Sequence, residues 1–139
     1  VRVALIDTGP LVALFDDADR DYERCKGLLA RLLGERVRLV TTWPCVTEAS
    51  YLLAPANHMA LLQWLHAGAV AVQGFDADVL EDMLGWMKRY TEPGRSIMDF
   101  ADASLYWLAQ QLDSPFILTL DVRDFSRYRL PDGRAFEIL

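Results

Sequence analysis

The chain has 139 residues, 53% of them hydrophobic, and a net charge of −6. That length suits a single domain over residues 1–139, and that composition supplies a substantial core and excludes a disordered chain. No apolar run approaches a membrane span, the amino terminus carries no secretory signal, and Cys25 and Cys45 have no metal or redox spacing, so the expectation is a cytoplasmic protein with two buried thiols.

Val3-Ala4-Leu5-Ile6 is fully apolar, long enough for a strand and too short for a helix. Its lack of polar alternation marks a strand buried on both faces. Asp7 ends the run, Thr8-Gly9-Pro10 allows a turn and a helix start, and Leu11 to Phe15 continues as a short helix. Four acids between Asp16 and Asp21 follow, without the glycine or terminal glutamate of a calcium loop, and read as a solvated loop. A helix over about Asp19 to Leu33 puts Tyr22, Cys25, Leu28, Leu29 and Leu32 on one face, and Gly34 stops it.

Val37 to Val40 reads as a second strand. Thr41-Thr42-Trp43-Pro44 opens a helix with Val46, Ala49, Tyr51, Leu52 and Leu53, which Pro55 ends. Asn57 is the expected cap of the next helix, from about His58 to Ala67, closed by Gly68. Val70 to Val72 is a third strand, and a helix then starts at Asp76 or Asp78 and breaks at Pro93-Gly94. Ser96-Ile97-Met98-Asp99 resembles a capping box and opens a helix with Ala101, Leu105, Leu108 and Leu112 as its stripe. Phe116 to Leu118 is a fourth strand and Ala135 to Leu139 a fifth. Strands alternating with helices imply βα units and a parallel, doubly wound sheet with helices on both faces.

Four acids occupy unusual positions. Asp7 and Asp121 end buried strands, Glu48 shares a helix with Ala49, Leu52 and Leu53, and Asp102 lies between Ala101 and Leu105. Strand carboxyl ends and the helix starts after them share one sheet edge, so all four can converge on one cleft. Converging carboxylates repel, and burial raises their pKa. A cation relieves both penalties, and oxygen-only ligands suit Mg²⁺ or Mn²⁺ better than Zn²⁺. Such an ion beside a phosphate is an arrangement for phosphodiester hydrolysis. Each acid also has a plainer reading: Asp7 as a helix cap, Glu48 as a surface residue, Asp121 and Asp124 as turn formers. Asp99, three residues before Asp102, either joins the cation or caps its helix; Thr8 and Thr119 either orient carboxylates or cap helices.

The ordered set Leu5-Ile6-Asp7-Thr8-Gly9-Pro10-Leu11, Val46-Thr47-Glu48-Ala49, Met98 to Leu105 and Ile117 to Phe125 resembles a PIN domain, and within that superfamily a VapC-type toxin ribonuclease. Any one piece is weak, but their order and spacing agree across nearly the whole chain. The resemblance implies a three-layer αβα sandwich around a parallel sheet of about five strands. It also implies a Mg²⁺- or Mn²⁺-dependent endoribonuclease with Asp7, Glu48, Asp102 and Asp121 as catalytic and metal-binding acids. Thr8, Asp99, Thr119 and Asp124 then stand behind them. The resemblance further implies a VapB-like antitoxin whose tail covers the cleft, and a homodimer.

RNA approaching an acidic site needs positive charge at the rim. Arg123 and Arg127 follow Asp121 closely, and Arg89 and Arg95 flank the loop before Asp99. Among the tryptophans only Trp43 is a candidate for stacking on a base; Trp64, Trp86 and Trp107 read as packing residues. The alternative function is a non-catalytic PIN-like module that binds RNA or protein, against which the complete acid set argues. A phospho-accepting receiver domain would want a lysine after a late strand, and the only lysines, Lys26 and Lys88, fall in expected helices.

Overall fold

The computed structural model describes residues 2–139. Its elements run β1 (Val3–Ile6), α1 (Thr8–Leu14), α2 (Tyr22–Gly34), β2 (Arg38–Thr42), α3 (Trp43–Leu52), α4 (Pro55–His66), β3 (Ala71–Gln73), a 3-10 turn (Ala77–Val79), α5 (Leu80–Tyr90), α6 (Phe100–Gln111), β4 (Phe116–Leu118), α7 (Val122–Phe125) and β5 (Glu137–Ile138). The strands form one parallel sheet in the order β3-β2-β1-β4-β5. The expected α/β class and five-stranded parallel sheet are what the chain adopts.

β1 is the central strand, paired with β2 on one side and β4 on the other. Ala4, Leu5 and Ile6 are fully buried, as their unbroken apolar run requires. Trimming Leu5 to Ala is expected to cost about 2–5 kcal/mol, so the strand that leads into Asp7 is anchored in the core. From β1 the chain moves outward to β2 and β3, then returns to add β4 on the opposite side of β1. That reversal makes the carboxyl ends of β1 and β4 a topological switch point, where open α/β sheets leave a crevice.

Several boundaries differ from the sequence expectation, each for a local reason. Pro55 begins α4 at its first position, with the preceding Ala54 extended, and Asn57 is not the cap. A proline needs no N–H there, and it holds the residue before it out of helix. The capping role open to Asp99 is the one it takes: it is the N-cap of α6, its side chain accepting from the Asp102 N–H at 2.8 Å, and the capping box from Ser96 does not form. Ser96 instead closes a turn with Glu92. The fifth strand shrinks to two residues because Ala135 bridges antiparallel to Arg129. Among Asp16 to Asp21, the Asp16 and Asp19 carboxylates cap local turns through Ala18 and Asp21 N–H groups, in line with a solvated loop. Cys25 and Cys45 are free and buried. Among the described residues no helix is long and apolar enough to cross a membrane.

Candidate active site

Asp7 follows β1 directly, and its N–H donates to the Leu118 carbonyl at 3.0 Å, extending the β1–β4 ladder by one bond. Its Oδ1 accepts from the Thr8 N–H at 2.7 Å and its Oδ2 from the Thr119 hydroxyl at 2.7 Å. Asp7 therefore caps α1 and lines the cleft at once. Thr8-Gly9-Pro10 lies inside the first turn of α1, so no separate turn intervenes. A Cβ at Gly9 would meet the Leu120 side chain at 3.4 Å, an ordinary van der Waals contact. The Thr119 Oγ1 also accepts from the Asp121 N–H at 3.0 Å. One threonine thus ties the carboxylate after β1 to the backbone after β4. Asp121 caps the single turn of α7, its Oδ1 accepting from the Asp124 N–H at 3.1 Å.

The other two acids arrive on helices. α3 starts immediately after β2 and carries Glu48 to the cleft, where Oε2 lies 3.5 Å from the Thr8 hydroxyl. α6 carries Asp102 on its first turn, and Asp102 Oδ2 accepts from the Tyr128 hydroxyl at 2.6 Å. Beneath them the end of β2, where α3 begins, is pinned to α6. The hydroxyls of Thr42 and Ser104 are 2.6 Å apart, and Ser104 also donates to the Ala101 carbonyl at 2.6 Å. These groups are buried, so breaking the link would leave unpaired polar atoms inside the core.

Asp7, Thr8, Gly9, Glu48, Leu52, Asp99, Asp102, Leu120 and Asp121 line one cavity of about 440 Å³. Asp7 is 6% exposed and Asp102 7%, so both carboxylates are nearly removed from water. Burial lifts Asp7 to about 6, against the lowering effect of its Thr119 and Thr8 donors. Burial lifts Asp102 to about 8, with the Asp99 charge adding to it and the Tyr128 donor opposing it. Glu48 and Asp121 are also raised, chiefly by partial desolvation at the cleft, and Asp99 adds repulsion at both. Negative charge is concentrated here against its own preference.

The sequence model of the PIN domain matches residues 4–130. The chain belongs to the PIN-domain family. Among solved structures, this PIN domain is similar to Mycobacterium tuberculosis VapC20, described as a sarcin-ricin loop cleaving toxin. The TM-score is 0.67 at 20% identity, over 88% of this chain and 92% of that one. At that identity the likeness is one of fold. No match was found among the curated proteins.

In this PIN domain the donor set suits a divalent cation. The cavity lining offers carboxylate and hydroxyl oxygens and no histidine or cysteine, the ligand chemistry of a hard ion. Asp102, Asp121 and Asp124 each offer an oxygen, and these atoms lie within 4.8 Å of one another. Asp124 thus comes closer to ligating reach than the sequence reading gave it, while Asp7 and Glu48 lie outside that trio. Among the described residues no lysine or arginine pairs with Asp7, Glu48, Asp102 or Asp121. The buried carboxylates therefore lack the counter-charge that a cation would provide.

The four arginines separate. Arg95 and Arg123 line a second cavity of about 350 Å³ together with Gly94, Ser96, Ile97 and Asp124, and Arg95 also pairs with Glu92 at 3.5 Å. Arg89 is exposed on α5. Arg127 turns inward: its guanidinium meets Asp124 at 3.2 Å and the Tyr90 carbonyl at 3.2 Å, and lies over the Tyr128 ring. Trp43 is exposed, whereas Trp64, Trp86 and Trp107 pack on Phe15, Tyr106 and Phe75. Sequence reasoning passed over Tyr128. It sits in a loop with no periodicity, 26 residues from its partner Asp102, so no local pattern marks it.

Proposed function

We propose that this PIN domain is a metal-dependent endoribonuclease of the VapC kind, hydrolysing RNA phosphodiester bonds. The observation that carries the reading is the meeting of Asp7, Glu48, Asp99, Asp102 and Asp121 in one cavity at the β1–β4 switch point. A PIN-family chain with the fold of a ribonuclease toxin supports the same substrate class.

Bound to these carboxylates, Mg²⁺ or Mn²⁺ supplies positive charge for the scissile phosphate and acidifies water at neutral pH. Asp102 and Asp121 would hold it together with Asp7 from the same cavity, and Asp124 would be in reach of the first two. Asp7 is fixed at both oxygens and Asp102 at one, so little reorganisation is needed when charge develops. Glu48 is exposed and loosely held, which leaves its carboxylate able to turn to the attacking water and take its proton. Arg95 and Arg123 hold a neighbouring phosphate of the strand in the adjoining cavity. Water attacks phosphorus in line as Glu48 takes its proton, the bond to O3′ breaks, and the departing O3′ takes up a proton from solvent. The products are a 5′-phosphate and a 3′-hydroxyl, because the 2′-hydroxyl takes no part.

The test is cleavage of an RNA pool with Mg²⁺, set beside a chelated sample and the Asp7→Asn variant. Products are expected only in the first; equal cleavage in all three overturns the mechanism. The reading extends to one cytoplasmic domain over residues 1–139, paired with a VapB-like antitoxin and forming a homodimer. Exposed Trp43, Tyr51, Leu52 and Met59 on α3 and α4 give such partners apolar surface.

A further inference from the structure

Asp102 differs from the acids around it in what holds it. Asp7, Asp99 and Asp121 each accept a backbone N–H from one to three residues further along the chain. Among the described residues the Asp102 carboxylate accepts no backbone donor, and its one hydrogen bond comes from Tyr128. That hydroxyl belongs to a fully buried side chain in the segment between α7 and β5. The ring is held on several sides. Phe125 and Tyr90 meet it edge-on with centroids 5.1 Å away, and the Arg127 guanidinium lies 5.4 Å from its centroid. Arg127 is in turn fixed by Asp124 and the Tyr90 carbonyl. The hydroxyl is therefore delivered to one point in space.

A phenylalanine would fill the same aromatic cluster without burying a hydroxyl. A buried hydroxyl costs free energy unless it finds an acceptor, and here the acceptor is a carboxylate. The bond occupies Oδ2. Oδ1 keeps no hydrogen-bond partner among the described residues. We propose that Tyr128 is a positioning residue that presents Asp102 to the divalent cation through Oδ1, a role that rests on the metal-dependent reading above. Tyr128 touches neither substrate nor cation and acts through Asp102 alone. Loss of such a supporting partner typically weakens metal binding by about 10–100-fold.

The test titrates Mn²⁺ by calorimetry into the whole wild-type chain, Tyr128→Phe and Tyr90→Phe, with thermal melts and RNA cleavage alongside. Tyr90→Phe removes a hydroxyl from the same cluster, one bonded to the Arg129 backbone and not to an acid. Tyr128→Phe is expected to bind Mn²⁺ about 10-fold more weakly, with kcat reduced and KM for RNA unchanged. Tyr90→Phe is expected to keep wild-type Mn²⁺ affinity. Equal Mn²⁺ affinity in Tyr128→Phe and wild type overturns the proposal, as does an equal loss in Tyr90→Phe. If wild type binds Mn²⁺ and Tyr128→Phe matches it, only the role of Tyr128 fails; if wild type binds none, the metal-dependent reading fails and this role falls with it. A measurement on wild type guards against a variant that does not fold. With ¹³Cζ-labelled tyrosine, Mg²⁺ is expected to shift the Tyr128 signal and leave that of Tyr22 on α2 in place. A Tyr128 signal that ignores saturating Mg²⁺ counts against the proposal.

Discussion

Asp7 and Asp102 face the same cavity from opposite kinds of support. Asp7 stands at the end of the central strand, and two donors, one adjacent in sequence and one across the β1–β4 ladder, hold its two oxygens. Asp102 stands on a helix, held at one oxygen by a tyrosine from a distant loop. Both are nearly buried, yet Asp7 is lifted to about 6 and Asp102 to about 8, burial being the first cause in each. The acid with two donors is the easier to ionise. Asp102 has one donor and the Asp99 charge close by, so it leans more heavily on a bound cation.

The largest expected effect comes from removing either charge. Asp7→Asn and Asp102→Asn should each lower RNA cleavage by more than about 100-fold, beyond the usual cost of losing a supporting partner. Their effects on the metal-free fold should differ. At pH 8, Asp102→Asn removes the more strongly disfavoured charge, so its melting temperature should rise above wild type by more than that of Asp7→Asn. A functional site that costs stability behaves in this way. Melts in chelator give the order, and equal shifts would erase the distinction between the two supports.

Next in size is the pH dependence of the metal-free protein. Both groups have folded pKa values above those of the unfolded chain, so the native state binds the extra protons. Their stabilising contribution is complete below about pH 4 and is lost as pH rises, first through about 6 and then through about 8. Melting temperature in chelator should fall across that window, and saturating Mn²⁺ should reverse the fall at its alkaline end. Mn²⁺ affinity should climb over the same range, because protons and the cation compete for the same oxygens. A flat melting profile from pH 5 to 9 would contradict burial as the origin of the shifts.

The supports of Asp7 were legible in the sequence, the distant Thr119 included, and the support of Asp102 by Tyr128 was not. Asp7 announces itself because a four-residue apolar run ends in a charge, and only a buried strand explains that run. The β-α alternation fixed the class of the sheet, and strand-end logic brought Asp7, Glu48, Asp102 and Asp121 to one edge. Pro55 misled because one proline can equally end a helix or start the next, and the extended Ala54 decided it here. Asp99 was open between cap and ligand because an acid at a helix start can serve both; it caps α6 and lines the cavity. Arg127 looked like a rim cation by its distance from Asp121, but an i,i+3 pair with Asp124 and the Tyr90 carbonyl draw it inward. Tyr128 depends on how the segment after α7 folds back over α6, a tertiary fact with no trace in spacing.

The smallest effects separate the two threonines beside Asp7. The Thr119 hydroxyl donates to Asp7 Oδ2 and accepts the Asp121 N–H, so Thr119→Val strips a donor from a buried carboxylate and an acceptor from a backbone amide. Leaving such groups unpaired costs about 1–3 kcal/mol, which corresponds to a loss of Mn²⁺ affinity of roughly 5-fold or more if it falls on the ionised site. Thr8 serves Asp7 through its backbone N–H, which Thr8→Val retains. Its hydroxyl reaches Glu48 only at 3.5 Å, the outer limit of a hydrogen bond. Thr8→Val should therefore change Mn²⁺ affinity by about 2-fold or less, with any effect appearing in kcat through Glu48. If Thr8→Val were to match Thr119→Val in Mn²⁺ affinity, the hydroxyl between α1 and Glu48 would matter as much to the cation as the bond across β1 and β4, and the strand-end support of Asp7 would lose its special standing.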